Sequence, residues 1–596
     1  MSLYSENRDI LERRFPGIST KLDTADPVDN AEISESRDGQ ITMRYSGNWL
    51  HSRHAPLKEA ERLIENSIPM DCPYCLFYGF GLAYHLEEFT RKHPGVPFAV
   101  IEPDAALFNA CLDIRDFKDI FMNPSFSFAL STPADAMPAL LENATGKDIQ
   151  ICMLRPAVNN NKEYFESVEK VIKEFLARKE INVHTLNKFS RLWVSNICKN
   201  LPLNISCPGV ETLQGTFTEK PVLLLAAGPS LSRILPLLPE LKKRMLLVCV
   251  DTALKACLRI NMEPDFLILT DPQYWNSRHL DRCRISDCIL ISDVSTYPAA
   301  LRINPGKTFF CSTPFPLGQF FESRTEIKGK LKSGGSVATA AWDFIRQCGA
   351  DVIYCSGLDL SFPEGETHYR GSTFEERLHS LSSRTCSIET SSWLALLGGN
   401  PFKGENRKGG TVISDQRMKI YIHWFEEQMR LHPEIRTVQL SSEGIVIEGM
   451  EWQEINPLLE LPECREDIDS RLAELHRVQS GTTEMELKAA HTELLAELDE
   501  LIILAGEAAN LSGKLMDTAD PDESQIMLTR LNDIDSAILN RESREMAGFI
   551  LAPILEEHMN SKAVSRKDIL ENSRSLYTEL KQSLFFHKEK ISQILL

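Results

Sequence analysis

Short apolar runs, each closed by a glycine or an acid, recur along the first three quarters of this chain. Leu76-Phe77-Tyr78 ends at Gly79-Phe80-Gly81-Leu82-Ala83, and a helical stretch from Tyr84 to Lys92 follows. Phe98-Ala99-Val100-Ile101 then ends at Glu102-Pro103-Asp104. The acid lies about 20 residues past the glycines, the spacing of a nucleotide-binding Rossmann unit. Ala83 stands where a third glycine belongs, so a Rossmann-like domain with an empty site fits equally well.

A second series begins with Pro221-Val222-Leu223-Leu224-Leu225-Ala226-Ala227, which has the unbroken apolar pattern of a buried strand. It stops at Gly228-Pro229-Ser230, and Leu231, Ile234, Leu235, Leu238 and Leu241 continue at helical spacing. Glycine permits a close backbone approach, proline suits a first helical position, and free helix N–H groups attract an anion. A plain strand-to-helix turn with a capping serine is the competing reading. Further strands end at Asp251-Thr252, Asp271-Pro272, Asp293 and Gly357-Leu358-Asp359. Repeated strand–helix alternation predicts a parallel, doubly wound sheet, whose ligands bind beyond the carboxyl ends of the strands. Each acid alone reads as a helix cap; several on one rim point to a shared polar site. Gly334-Gly335-Ser336 opens another helix and offers a second set of N–H groups to a phosphate.

Past Pro462, proline and glycine thin out, and Leu487, Leu494, Leu498, Leu501 and Ala505 recur at helical spacing. The pattern therefore predicts three regions: a Rossmann-like domain over 1–205, a doubly wound α/β domain over 206–454, and an all-helical domain over 455–596. The last is a cap, a dimer element or a docking surface. A homo-oligomer is left open.

The length of 596 residues is too great for one core. The net charge of −19 argues against nucleic-acid partners. No run is apolar enough for a membrane span, and the first residues lack a signal-peptide core, so a cytoplasmic protein is expected. The 15 cysteines suit buried thiols in a reducing compartment. Cys72-Pro-Tyr-Cys75 leads into a strand rather than opening a helix, which favours a structural role over redox chemistry. Pro305-Gly306-Lys307-Thr308 lacks the upstream glycine of a P-loop, with Leu301 in its place. The Asp467/Asp469 and Asp533/Asp535 pairs fall in the helical region as surface residues, and no His/Cys set has zinc spacing. No metal site and no cofactor are expected.

In order and spacing, these motifs resemble the motility accessory factor (Maf) family of flagellin glycosyltransferases. The resemblance rests on His51-Ser52, Gly79-Phe80-Gly81, Ala227-Gly228-Pro229-Ser230-Leu231, Asp251-Thr252-Ala253-Leu254, Pro264-Asp265 with Thr270-Asp271-Pro272, and Gly335-Ser336-Val337 with Gly357-Leu358-Asp359. The central region is also similar to 6-hydroxymethylpterin diphosphokinase MptE-like domains and to bacterial sialyltransferases of variant GT-A fold. The resemblance implies inverting, metal-independent transfer of a nonulosonic acid, pseudaminic or legionaminic in type, from a CMP-sugar to Ser or Thr hydroxyls of flagellin. Ala227 departs from the asparagine of the sialyltransferase turn, and the stretch Gly409–Asp415 lacks the histidine expected there.

On this reading Gly228, Pro229, Ser230, Gly335 and Ser336 hold the donor phosphate. Asp251 and Asp359 bind ribose or base groups, Thr252 and Asp271 also contact the donor nucleotide, and Arg370 neutralises the leaving phosphate or the donor carboxylate. His368 is the first candidate base and Asp415 the second; a loop histidine that only binds substrate is the alternative. Two other functions fit the same residues. One is a pterin pyrophosphokinase using ATP and magnesium, with Asp271 and Asp359 on the metal. The other is a noncatalytic flagellin-binding assembly factor.

Overall fold

A computed structural model describes residues 2–25, 31–141, 149–518, 520–540 and 565–594. They gather into two compact units, one over Met1–Thr185 and one over Leu186–Ala552 with Ala563–Leu596. Both are α/β, built on parallel sheets.

The first unit carries a small antiparallel sheet of β1 (Glu32–Glu35), β2 (Ile41–Tyr45) and β3 (Asn48–Trp49). Beside it lies a parallel sheet of β4 (Tyr74–Tyr78), β5 (Phe98–Glu102), β6 (Phe126–Leu130) and β7 (Ile149–Met153), in the order β6-β5-β4-β7. Strands β4 and β5 are buried along their whole length, as their unbroken apolar runs require.

The glycine turn after β4 is closed from within. Glu102, at the end of β5, is 1% exposed and accepts the Phe80 N–H at 2.9 Å and the Asp104 N–H at 3.1 Å. His51 Nε2 accepts the Leu82 N–H at 3.0 Å. A Cβ on Gly79 would lie 2.4 Å from the Ala157 Cβ, and one on Gly81 would lie 2.6 Å from Leu154 Cδ2. The turn is thus packed closely enough that both positions require glycine.

The second unit is organised on eight parallel strands: β8 (Val222–Leu225), β9 (Leu246–Val250), β10 (Phe266–Leu269), β11 (Ile289–Asp293), β12 (Lys307–Cys311), β13 (Val352–Ser356), β16 (Arg436–Gln439) and β17 (Glu451–Trp452). The hairpin β14 (Phe402–Glu405) and β15 (Thr411–Ser414) branches off between β13 and β16. The spatial order is β12-β11-β10-β9-β8-β13-β16-β17. The chain steps outward from β8 to β12, returns through the Val337–Gln347 helix, and continues on the other side of β8 at β13. The switch point of the topology therefore lies between β8 and β13.

The Glu484–Asp517 and Arg566–Ser592 helices pack on each other, and the first also packs on the Pro316–Glu322 helix. Leu487, Leu494, Leu498 and Leu584 share one apolar cluster with the strands. No helix among the described residues is long and apolar enough to cross a membrane.

One expectation fails locally. The apolar spacing after Gly-Pro-Ser predicts a continuous helix, but the segment breaks into Leu231–Ile234, a 3-10 turn at Leu235–Leu237, and Leu238–Leu241. Pro236 and Pro239 cause the break, since each lacks an N–H and clashes with the preceding turn.

Gly79→Ala tests the closed turn. With φ at +94° and no room for a methyl group, the variant should lose about 2 kcal/mol in urea unfolding.

Candidate functional site

The turns after β8 and β13 are laced together at the switch point. The Gly228 N–H donates to the Gly357 carbonyl at 2.8 Å. The Ser230 N–H donates to Asp359 Oδ2 at 2.9 Å, and the Gly357 N–H donates to Ser230 Oγ at 3.1 Å. The approach is so close that a Cβ on Gly228 would lie 2.4 Å from Asp359 Oδ2 and 2.5 Å from the Gly357 carbonyl. Asp359 is 1% exposed, and burial pushes its carboxyl above the usual range. Its Oδ1 is buried without a hydrogen-bond partner. The expected phosphate donor at Ser230 is thus already engaged by a carboxylate, and the helix behind it is a single turn.

The outer side of this turn borders an open cleft of about 240 Å³. Pro229 and Ser230 form one wall, and Arg233, Glu366, Arg370 and Glu443 line the rest. Arg370 is highly exposed and bonds Glu366 at 2.7 Å; Arg233 pairs with Glu443. Gly228, Pro229, Ser230, Asp359 and Arg370 therefore come together.

A second group occupies the neighbouring strand ends. Asp251, first residue of the Asp251–Arg259 helix after β9, is 1% exposed. Its Oδ1 accepts the Thr252 N–H at 2.8 Å, while Oδ2 is buried without a partner. Burial, with a smaller contribution from Asp271, raises its pKa to about 7. Asp271, after β10, accepts the Gln273 N–H at 2.8 Å and is raised by burial. Asp293, ending β11, is raised to about 6 by burial. Three successive strands thus present acids whose pKa values burial raises.

The loops that follow β10 and β11 are held by two asparagines one turn apart. Asn196 Nδ2 donates to the Pro272 and Ser295 carbonyls, both at 2.9 Å. Asn200 Nδ2 reaches Val294 at 2.9 Å and Thr296 at 2.6 Å.

The Gly334-Gly335 turn packs under the Gln416–Leu431 helix. A Cβ on Gly334 would meet Trp424 Cγ at 2.4 Å, and one on Gly335 would meet Tyr421 Cε1 at 3.4 Å. Ser336 is the N-cap of the Val337–Gln347 helix and accepts the Ala338 N–H. Tyr421 has its pKa raised by burial, lowered by Arg417, and raised by the charges of Asp415 and Asp271. The Gln416–Leu431 helix packs Trp424 and Tyr421 against the Gly334-Gly335 turn.

The two candidate bases have different settings. His368 stacks on Phe374 with centroids 4.0 Å apart, and burial lowers its pKa to about 4. Its imidazole is neutral at pH 7 and keeps a lone pair. Asp415 is fully buried as the N-cap of the Gln416–Leu431 helix. Its Oδ1 accepts the Met418 N–H at 2.9 Å and Oδ2 pairs with Arg417 at 2.6 Å. Both of its oxygens are committed.

Asp271 and Asp359 follow β10 and β13, three strand spacings apart in the sheet, or about 14 Å. No group of three or more potential metal ligands occurs among the described residues.

Arg233 and Glu443 line the cleft but carry no motif. Only the position of Arg233, three residues past Ser230, gave a cue.

Residues 195–365 match the protein-family model described as 6-hydroxymethylpterin diphosphokinase MptE-like. This region is an MptE-like domain. Two uncharacterized proteins of Treponema pallidum (strain Nichols) are similar in sequence. One is 32% identical over 34% of this chain and 61% of its own length; the other is 27% identical over 40% and 86%. The structure of a MAf glycosyltransferase from Magnetospirillum magneticum AMB-1 superposes with a TM-score of 0.68 and 14% identity, covering 99% of this chain and 97% of that one. The chain has the Maf fold. The similarity extends through both sheets and the C-terminal helices, well beyond the MptE-like domain.

Two measurements test this geometry. Gly228→Ala should force the laced turns apart and lower the thermal midpoint, with about 2 kcal/mol lost. A buried Asp251 whose pKa rises from about 4 unfolded to about 7 folded binds more protons when folded. Wild-type stability should therefore fall as pH rises across that window. The thermal advantage of Asp251→Asn over wild type should grow from pH 4 to pH 7 and then level off; a constant difference would contradict this account.

Proposed function

We propose that the chain is an inverting, metal-independent glycosyltransferase. It moves a nonulosonic acid of pseudaminic or legionaminic type from a CMP-sugar to Ser or Thr hydroxyls of flagellin. The observation that carries the reading is the switch point with its acidic rim, set in a chain whose whole length follows the Maf fold. Ligands of doubly wound sheets bind there. We read the central sheet as sialyltransferase-like, of the variant GT-A kind.

In this mechanism the buried Asp251 Oδ2 accepts a ribose hydroxyl or a base amine, a role for which its missing partner suits it. Thr252 and Asp271 flank the same ligand. The Gly335-Ser336 turn supplies backbone N–H groups to the phosphate. Gly228, Pro229 and Ser230 form the wall beside it, and Asp359 holds that wall in place. Arg370 leaves Glu366 for the donor carboxylate. His368 takes the proton of the acceptor hydroxyl as its oxygen attacks the anomeric carbon and CMP departs. A nearby substrate anion raises the histidine pKa from its resting value and makes it a stronger base. Asp415, with both oxygens engaged, is the second candidate.

The family model over residues 195–365 favours one other reading, pyrophosphoryl transfer to a pterin with ATP and magnesium. Thermal-shift titration with CMP, CDP, UDP, GDP and ATP, with and without magnesium, separates the two. Under the glycosyltransferase reading CMP stabilises the protein without magnesium, by about 2.7 kcal/mol at a hundred times its Kd, and Asp251→Ala abolishes the shift. A shift with magnesium and ATP alone would replace this reading with the pyrophosphokinase.

A further inference from the structure

Two large aromatic side chains stand open beside the acidic rim. Tyr274 and Trp275 follow Asp271 by three and four residues and are 44% and 54% exposed. Their rings are held in place nonetheless. Tyr274 meets Trp275 edge-on at 5.2 Å and Tyr297 at 5.5 Å. The Arg377 guanidinium lies 4.0 Å from the Trp275 ring centroid and covers one side of it. Arg377 belongs to the Thr373–Leu381 helix, whose Phe374 stacks on His368. Trp275 therefore bridges the loop carrying Asp271 and the helix packed on His368.

A rigid, half-open indole has little conformational freedom left to lose when a ligand covers it. The electron-rich face of such a ring attracts polarised C–H groups. In the same loop, four residues before Trp275, the Asp271 carboxyl is oriented by the Gln273 N–H. An apolar platform beside an oriented carboxyl suits a ligand with a C–H face and a hydroxyl edge, which describes a pyranose ring.

We propose that Trp275 is the stacking platform for the glycosyl ring of the donor, and that Arg377 is a positioning residue for the indole. The proposal rests on the glycosyltransferase reading and adds the residue that selects the sugar rather than the nucleotide.

The test compares CMP with CMP-pseudaminic acid, and UDP with UDP-N-acetylglucosamine, by calorimetry and tryptophan fluorescence on the full chain. The quantity read is the gain in affinity that the sugar adds to its nucleotide. In Trp275→Ala this gain should fall about ten-fold, with affinity for the bare nucleotide unchanged, while Trp275→Phe keeps most of it. If Trp275→Ala unfolds, Trp275→Leu, apolar but not aromatic, carries the same comparison. An undiminished gain in Trp275→Ala overturns the proposal. So does an equal loss for nucleotide and nucleotide-sugar, which marks Trp275 as a structural clamp. A wild-type protein that binds nucleotide without any gain from the sugar overturns this proposal alone; one that binds neither nucleotide overturns the donor reading with it.

Discussion

The bond from the Ser230 N–H to Asp359 is the contact on which the central site depends. It ties the first strand of the outward series to the first strand of the return series, at the switch point of the topology. A backbone donor on a buried carboxylate is worth about 1.5–3 kcal/mol. Here the return bond from Gly357 to Ser230 Oγ doubles the link. The cost is a buried acid with one oxygen unsatisfied and a position 228 that admits only glycine. The Gly-Pro-Ser turn is therefore first a brace, and its outer surface is what remains for a ligand.

The first unit uses the same device to the opposite end. Glu102 reaches across from the neighbouring strand and caps the Phe80 N–H, as Asp359 caps Ser230. There His51, Leu154 and Ala157 pack closely against the turn. In the second unit the adjacent strand ends stay polar. Asp251, Asp271 and Asp293 sit close enough to water-free surroundings that burial raises all three. Raised pKa values at Asp251 and Asp293 lessen the charge this rim carries near neutral pH. The Asp251 and Asp271 carboxyls are oriented by the Thr252 and Gln273 N–H groups.

Asn196 and Asn200 extend this order outward. Their amides hold four carbonyls in the loops after β10 and β11, which fixes the loop that carries Asp271, Tyr274 and Trp275. On the other side, Lys255 and Arg259 pair with Glu376 and hold the Thr373–Leu381 helix to the Asp251–Arg259 helix. His368 and the open aromatic rings thus rest on elements anchored to the sheet core. Such anchoring is what a site needs to keep its groups in register during a transfer.

The sequence by itself determined the strands, because fully buried parallel strands need unbroken apolar runs such as Val222–Leu225 and Leu246–Val250. It also located the acids at their ends, since a chain leaving a buried strand must turn polar at the rim. The broken helix after Ser230 was legible in principle from Pro236 and Pro239, but the apolar spacing masked them. Tertiary structure alone decided the strand order, which places Gly228 against Asp359 across 131 residues of chain and separates Asp271 from Asp359. It alone brought Tyr421 to Gly335 and Arg377 to Trp275. Local sequence records the burial and turning of each segment; which segments become neighbours is set by packing between distant ones, and no spacing along the chain encodes that.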